Sequence, residues 1–249
     1  MADAGGRSMS VLGVRIDAVS RSEAVALLAG YVRSGMPHQV VTVNPEFLVQ
    51  AQSDAAFRSC LNGADLALAD GVGLLAAARL LGRPLPGRVT GVDVTLALMA
   101  VCAQEGFRVF LLGAANGVAE EAGAVLTRQW PGLQIVGCYA GSPQPEADAP
   151  QVERIRGTSP HVLLVAYGAP AQDLWIARNL QALAVPVAIG VGGTFDYLSG
   201  RVPRAPALVR SLGLEWLYRL VRQPWRWRRQ LRLPVFVWLV LRQRVSGRA

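Results

Sequence analysis

The stretch "VLLVAYGAPAQDLWIARNLQALAVPVAIG", residues 162–190, decides the fold class of this chain. It begins with the continuous apolar run Val162–Ala166, continues with helical spacing over Ala171–Leu183, and returns to an apolar run at Val187–Ile189. A strand that is apolar at every position is typical of a parallel sheet covered on both faces by helices. The stretch therefore predicts a strand, a helix and a second, parallel strand.

The same alternation of apolar strands with helical spacing extends over most of the 249 residues. Because strands alternate with helices rather than with other strands, the pattern predicts an α/β fold with a doubly wound, largely parallel, Rossmann-like sheet. Strand patterns also occur at Val11–Ile16, Val40–Val43, Leu66–Ala69, Arg108–Leu112 and Gln134–Val136, and helical patterns at Ser22–Val32, Val92–Gln104 and Val118–Gln129.

Basic residues are concentrated at the C-terminal end of the chain. Residues 201–249 contain twelve arginines and one acid, Glu215, whereas residues 1–200 contain thirteen arginines and sixteen acids. This change of composition predicts an α/β domain at 1–200 and a basic, aromatic-rich helical appendage at 201–249. The asymmetry also indicates an anionic partner, which is a phosphate-bearing substrate, a membrane surface or nucleic acid.

Tryptophan accompanies arginine in this appendage, since four of the six tryptophans lie there. Basic residues beside interfacial aromatic side chains suit a helix in the headgroup region of an anionic membrane. We therefore expect an anionic membrane surface, and no nucleic acid, as the partner. A nucleic-acid-binding adaptor and a helix simply packed on the body are the alternatives.

Several features are missing from the sequence. The chain has no lysine, so it cannot contain the phosphate-binding loop GxxxxGK[ST]. It has no DxD triplet, no secretory signal and no closely spaced cysteines, so we expect no metal site and a cytoplasmic protein. The apolar run Pro234–Leu241 is far shorter than the roughly 20 residues that span a bilayer. Any membrane association is therefore expected to be peripheral.

Polar residues follow several of the predicted strands. Thr42 and Asn44 close the second strand and Asp70 closes the third, directly before the helix that starts near Val72. Because ligands bind beyond the carboxyl ends of parallel strands, these side chains are expected to surround one cleft. The structural alternative is that Asn44 and Asp70 each cap the helix that follows.

A glycine turn, "GAANG" at Gly113–Gly117, joins the strand at Arg108–Leu112 to the next helix. Backbone N–H groups at such a helix start, together with the helix dipole, suit a diphosphate. The glycines do not form GxGxxG, although the parallel sheet leaves a Rossmann-type NAD-dependent oxidoreductase as an alternative.

Seven blocks in this order resemble the WecG/TagA/CpsF family of bacterial glycosyltransferases over roughly Val11 to Arg229. They are "TVNPEF" (Thr42–Phe47), "ADGVG" (Ala69–Gly73), "GRVTGVD" (Gly87–Asp93), "LLGAANGVAEEA" (Leu111–Ala122), "YGAPAQD" (Tyr167–Asp173), "GVGGTFDYLSGRVPRAP" (Gly190–Pro206) and "GLEWLYRLVRQPWRWRR" (Gly213–Arg229). One departure is Ala171, where family members commonly have a lysine.

The resemblance implies an inverting transfer, without metal or other cofactor, of a sugar from UDP to a polyprenyl-diphosphate-linked sugar. By the same resemblance, the sugar is expected to be N-acetylmannosamine, its uronic acid or glucose, and the product is expected to serve surface polysaccharide synthesis at the inner face of the bacterial plasma membrane. The domain at 1–200 would be catalytic, and a homo-oligomer is compatible with the sequence.

The resemblance also implies roles for individual residues. Asp70 matches the general base, and Thr42, Asn44, Arg88 and Gln172 match residues around the reacting sugars. Arginines of the appendage, Arg219, Arg226 and Arg229, are expected to fold over the site and meet the diphosphate. The UDP-sugar is expected to contact Gly113, Ala114, Asn116, Gly117, Tyr139, Gly192 and Asp196.

Overall fold

A computed structural model describes residues 8–211, 213–222, 224 and 227–246, without the side chains of residues 211, 219 and 229. The strands are β1 (Ser8–Val11), β2 (Val14–Asp17), β3 (His38–Val43), β4 (Leu66–Ala69), β5 (Arg108–Gly113), β6 (Gln134–Tyr139), β7 (Val162–Ala166) and β8 (Val187–Gly190). The helices of the body are α1 (Arg21–Ser34), α2 (Pro45–Ser53), α3 (Ala55–Gly63), α4 (Val72–Leu80), α5 (Gly91–Glu105), α6 (Val118–Gln129), α7 (Asp148–Gly157), α8 (Ala171–Leu183) and α9 (Thr194–Leu198). Four more follow: α10 (Ala207–Ser211), α11 (Glu215–Arg222), α12 (Trp227–Gln230) and α13 (Arg232–Val245).

Six strands form one sheet in the order β4-β3-β8-β7-β5-β6, and each neighbouring pair is parallel. The predicted parallel α/β fold is therefore confirmed. All six carboxyl ends lie at the same edge of the sheet, as parallel pairing requires. That edge carries the residues that follow each strand, including Asn44 after β3 and Asp70 after β4.

The first predicted strand, Val11–Ile16, was wrong. This segment instead belongs to a separate antiparallel hairpin in which Val11 pairs with Val14. The two turn residues, Leu12 and Gly13, have φ of 53° and 78°, the left-handed conformation of a tight hairpin turn. The hairpin is attached to the sheet through Asp17, whose carboxylate accepts the N–H of Ala67 at 2.8 Å.

Helices cover both faces of the sheet. Helices α1, α5 and α6 pack on one face around side chains such as Leu28, Leu98 and Leu111. On the other face, α2, α3 and α4 pack with the hairpin, and α7 and α8 pack around Trp175. The alternation arises because successive side chains of a strand point to opposite faces.

The last helix, α13, lies against the body. Its Phe236 and Val240 are buried in the same cluster as Phe47 of α2 and Leu74 of α4. The Gln243 side chain accepts the N–H of Leu12 at 2.8 Å, which ties α13 to the hairpin. Part of the predicted appendage thus contributes side chains to a core of the body.

The surface of the appendage is unusually apolar. Among the described residues, all but two of the exposed large hydrophobic side chains lie beyond residue 200, the exceptions being Met36 and Val72. None of the helices in the described part of the chain is both long and apolar enough to cross a membrane. The apolar side chains are therefore displayed on short amphipathic helices.

Candidate active site

Asp70 stands at the carboxyl end of β4. Its N–H donates to the carbonyl of Val43 at 2.7 Å, which continues the pairing of β3 with β4. Its carboxylate accepts the N–H of Gly91, the first residue of α5, at 3.3 Å. A negative charge at the N-terminus of a helix is stabilised by the helix dipole.

The alternative that Asp70 caps its own helix was wrong. The N-cap of α4 is Gly71, and it makes no side-chain capping bond. The carboxylate instead accepts the N–H at the start of α5, and the chain turns into α4 at Gly71, whose φ is 113°. Asp70 thereby faces the space beyond the sheet edge.

A cavity of about 460 Å³ opens at this position. It is of the size in which proteins bind small molecules. Its polar wall includes Asn44, Glu46, Asp70, Arg88, Thr90, Tyr197, Glu215 and Gln230, and its other residues are apolar or glycine. Three predicted site residues, Asn44, Asp70 and Arg88, therefore share one cavity.

Arg88 connects the body with the appendage. Its guanidinium lies 3.7 Å from the carboxylate of Glu215, and the two side chains are 19% and 17% exposed. A second guanidinium nitrogen donates to the carbonyl of Arg210 at 3.4 Å. Glu215, which the sequence analysis did not select as a site residue, is thus the counter-ion of an arginine that lines the cavity.

Asn44 has the structural role that its position predicts. Its side chain accepts the N–H of Phe47 at 3.0 Å and caps α2, with Pro45 in the first turn. Because Asn44 also lines the cavity, the cap and a contact with substrate are compatible.

Thr42 is not among the residues that line the cavity. It is buried, and its hydroxyl donates to the carbonyl of Gly190 at 3.2 Å, which links β3 to the end of β8. A side chain at Gly91 would contact the Thr42 methyl group. Thr42 therefore supports the backbone that holds Asp70.

Gln172 joins two loops at the sheet edge. Its side-chain oxygen accepts the N–H groups of Gly168 and Gly192, at 3.2 and 2.9 Å. It is buried and lies outside the lining of the cavity. Its place near the reacting sugars stays a prediction.

Asp173 is the other residue that sequence analysis missed. It is fully buried in the first turn of α8, and this burial raises the pKa of its carboxyl to about 7. The only sequence signal is its place in the "YGAPAQD" block, directly after the predicted Gln172.

The glycine turn occupies another part of the same edge. A side chain at Gly113 would come within 2.8 Å of the Ala166 carbonyl carbon, so only glycine permits the close approach of β5 and β7. Gly117 starts α6 without a side-chain cap. Beside it, Arg201 donates to both carboxylate oxygens of Glu121, at 2.8 and 2.7 Å.

The remaining predicted nucleotide contacts lie around this turn or at neighbouring strand ends. Asp196 lies on α9, which packs beside α6, and its carbonyl accepts the N–H of Val202. Tyr139 ends β6 beneath the guanidinium of Arg154, 4.4 Å from the ring centre. Seven predicted nucleotide contacts lie outside the lining of the cavity: Gly113, Ala114, Asn116, Gly117, Tyr139, Gly192 and Asp196.

The three appendage arginines are not tested by the structure. Arg226 lies outside the described residues, and so do the side chains of Arg219 and Arg229. Within the described part of the chain, no three His, Cys, Asp or Glu side chains form a group that could hold a metal ion.

A carboxylate and an arginine in one cleft at the carboxyl edge of a parallel sheet suit an enzyme that deprotonates a hydroxyl and binds a phosphate-bearing substrate. The chain belongs to the glycosyl transferase WecG/TagA/CpsF family, whose sequence model matches residues 9–249. The resemblance is thereby confirmed, and the chain is a glycosyltransferase.

Two relatives are similar over most of their length. An N-acetylglucosaminyldiphosphoundecaprenol N-acetyl-beta-D-mannosaminyltransferase of Bacillus spizizenii strain W23 is 36% identical over 210 residues, which is 84% of this chain and 81% of the relative. A transferase of the same name from Bacillus subtilis strain 168 is 34% identical over 213 residues, covering 86% and 82%.

Proposed function

We propose that this glycosyltransferase moves a sugar from UDP to a sugar carried on a polyprenyl diphosphate, with inversion and without a metal ion, in the synthesis of a surface polysaccharide. The observation that carries the proposal is that the Asp70 carboxylate and the Arg88 guanidinium line the same cavity. The named activity of the relatives supports the lipid-linked acceptor. It also makes N-acetylmannosamine the first donor sugar to test.

Asp70 is the general base in this proposal. It takes the proton of the acceptor hydroxyl as that oxygen attacks the anomeric carbon of the donor. The bond from the anomeric carbon to UDP breaks at the same time, and its electron pair leaves with the diphosphate. Attack from the side opposite UDP inverts the anomeric centre. The Gly91 N–H supports the carboxylate in position for this step.

Arginines bind the negatively charged phosphates of the substrates in this proposal. Arg88 is the cation among the described residues that line the cavity, and it binds a phosphate once it exchanges its Glu215 partner for substrate. The turn at Gly113–Gly117 supplies N–H groups for the departing UDP. Arg219, Arg226 and Arg229 complete the binding of the diphosphate.

Peripheral membrane binding belongs to the same proposal. Residues 201–249 combine twelve arginines with apolar side chains that the structure leaves exposed, such as Trp216, Trp227 and Trp238. Arginine attracts anionic headgroups and tryptophan favours the interface. This surface would hold the enzyme where a lipid-linked acceptor is found.

The test is UDP release by the purified chain with UDP-N-acetylmannosamine, its uronic acid or UDP-glucose, and an N-acetylglucosaminyl diphospholipid. We expect one donor to release UDP and extend the acceptor by one sugar, with activity unchanged in EDTA. If no donor reacts and NAD(H) rather than UDP stabilises the chain to heat, the oxidoreductase alternative replaces the proposal.

A further inference from the structure

The cavity that Asp70 and Arg88 share is also lined by one face of each of two helices. Besides Val72 at its start, the residues of α4 that line it have i, i+3, i+4, i+7 spacing: Gly73, Ala76, Ala77 and Leu80. Residues of α13 line it with the same spacing: Leu233, Phe236, Val237 and Val240. We name the space lined by these eight residues the apolar channel, since none of them has a polar side chain.

Two helices with such faces ordinarily pack against each other and close the gap. Here they approach at Gly73, where a Cβ atom would lie 3.6 Å from the Phe236 ring. At the end of α4, Arg244 donates to the carbonyl of Leu80. The side chains of Ala76 and Val237 are nevertheless exposed. The small side chains of α4 thus leave a channel that is open to the outside.

The lining of this cavity suits an amphiphile. Its polar end would meet a carboxylate and a guanidinium, whereas its other end would contact only hydrocarbon side chains. Apolar surface is stabilised when it leaves water for such surroundings. A free sugar nucleotide has no hydrocarbon part to place there.

Helix α13 also carries an outward apolar face. Trp238, Leu241 and Val245 are 58%, 47% and 89% exposed. At 100° per residue they lie on the side of the helix opposite Phe236 and Val240. One face of α13 therefore lines the apolar channel while the other is available to a bilayer.

We propose that the apolar channel binds the isoprene units of the acceptor next to its diphosphate, while the rest of the polyprenyl chain stays in the membrane. This inference rests on the proposed function and adds where the lipid binds. The diphosphate then lies near Arg88, and the acceptor sugar reaches Asp70. A cavity of about 460 Å³ suits the sugar end and only the first part of the lipid.

The first experiment compares two acceptors that differ only in their lipid: N-acetylglucosaminyl diphosphate on a long polyprenol, and the same sugar diphosphate with a methyl group in place of the lipid. Ala76→Leu narrows the apolar channel from an exposed position, so it should leave the fold intact. We expect it to lower kcat/KM for the long acceptor about tenfold and for the methyl acceptor much less.

The matched control is Ala26→Leu, which adds the same side chain at another exposed helical position. Ala26 lies within α1, a helix that packs on the opposite face of the sheet from α4, and it is outside the lining of the cavity. It should therefore leave kcat/KM for both acceptors unchanged.

The second experiment measures binding of geranylgeranyl diphosphate by calorimetry and needs no transfer reaction. Wild type and Ala26→Leu should bind it equally, and Ala76→Leu about tenfold more weakly. Equal binding by all three, or equal losses on both acceptors, overturns the channel assignment. If the wild type binds the lipid yet transfers to neither acceptor, the proposed function fails while the channel assignment stands.

Discussion

Asp70 illustrates how one residue combines a structural and a chemical position. The end of β4, the turn at Gly71 and the N-terminus of α5 place its carboxylate at the edge of the sheet rather than on its own helix. Asparagine in its place would have nearly the same size and would still accept the Gly91 N–H, but it could not take a proton. The asparagine variant therefore removes the proton acceptor and keeps the hydrogen bond to Gly91.

Asp70→Asn should therefore lower turnover by about two to four orders of magnitude, the usual contribution of a general base. Binding of UDP should be unchanged, since the substitution leaves the cations in place. The measurements are kcat for UDP release and the Kd of UDP by calorimetry. The control is Asp65→Asn, at the opposite end of β4, where the carboxylate accepts the N–H of Gln39. Near-normal turnover in Asp70→Asn would leave the mechanism without its base.

Asp173 should make stability depend on pH. Burial raises the pKa of its carboxyl from 3.8 to about 7, so between these values the folded chain holds a proton that the unfolded chain has lost. Its contribution to stability is therefore lost as the pH rises from about 4 to 7. In Asp173→Asn this contribution is absent.

The measurement is Tm for both chains from pH 4 to pH 8. Relative to wild type, Asp173→Asn should gain stability from pH 4 to about pH 7, and the difference should be constant above that. A difference in Tm that does not vary with pH would show that the carboxyl does not titrate in this window.

At the scale of elements, α13 has one face packed on the body and one face exposed to the surroundings. Its buried face fixes it on α2, and its exposed face carries Trp238 and Leu241. Because these two side chains are largely in solvent, replacing them should affect a surface and not the core. Substituting these two side chains therefore tests membrane binding and should leave the fold unchanged.

The double substitution Trp238→Gln and Leu241→Gln should weaken sedimentation with anionic liposomes at least about tenfold, since burying each such side chain is worth roughly 1.5–3 kcal/mol. The residual binding should fall further with salt, because the arginines still act through charge. Met36→Gln, on an exposed apolar residue of the body, is the control. Unchanged sedimentation would mean that α13 does not contact the bilayer.

At the scale of the whole molecule, the boundary between body and appendage at residue 200 stays a prediction. The parallel sheet and its covering helices lie within 1–200, which favours a body that folds alone. The appendage nevertheless places Phe236 and Val240 in a core of the body. Truncation at residue 200 is therefore expected to leave a folded body that has lost part of one core.

Removing residues 201–249 should give a folded chain with a clearly lower Tm, because loss of a buried Phe alone costs about 3–5 kcal/mol. It should also lose transfer to soluble acceptors, since Glu215, the appendage arginines and one wall of the cavity are missing. Circular dichroism melts and UDP release measure the two effects. Full activity on soluble acceptors would reduce the appendage to an anchor, and an unfolded product would place it within the body.

The sequence by itself determined the class of fold and most of its elements. The limits predicted for Leu66–Ala69, Val118–Gln129, Val162–Ala166 and Ala171–Leu183 are those of the structure. Continuous apolar runs and helical spacing are local properties, so a window of residues is enough to detect them. The hairpin at β1 and β2 was missed because its two-residue turn, Leu12 and Gly13, is flanked directly by the apolar residues Val11 and Val14.

The strand order and the cavity were decided only by the tertiary structure. Periodicity cannot show that β8 lies beside β3, that Glu215 reaches Arg88, or that α13 faces α4. Each of these contacts joins residues far apart in the chain, so it depends on how whole elements pack after their local structure is set. The motif residues indicated the chemistry, whereas long-range packing determined which of them line the same cavity.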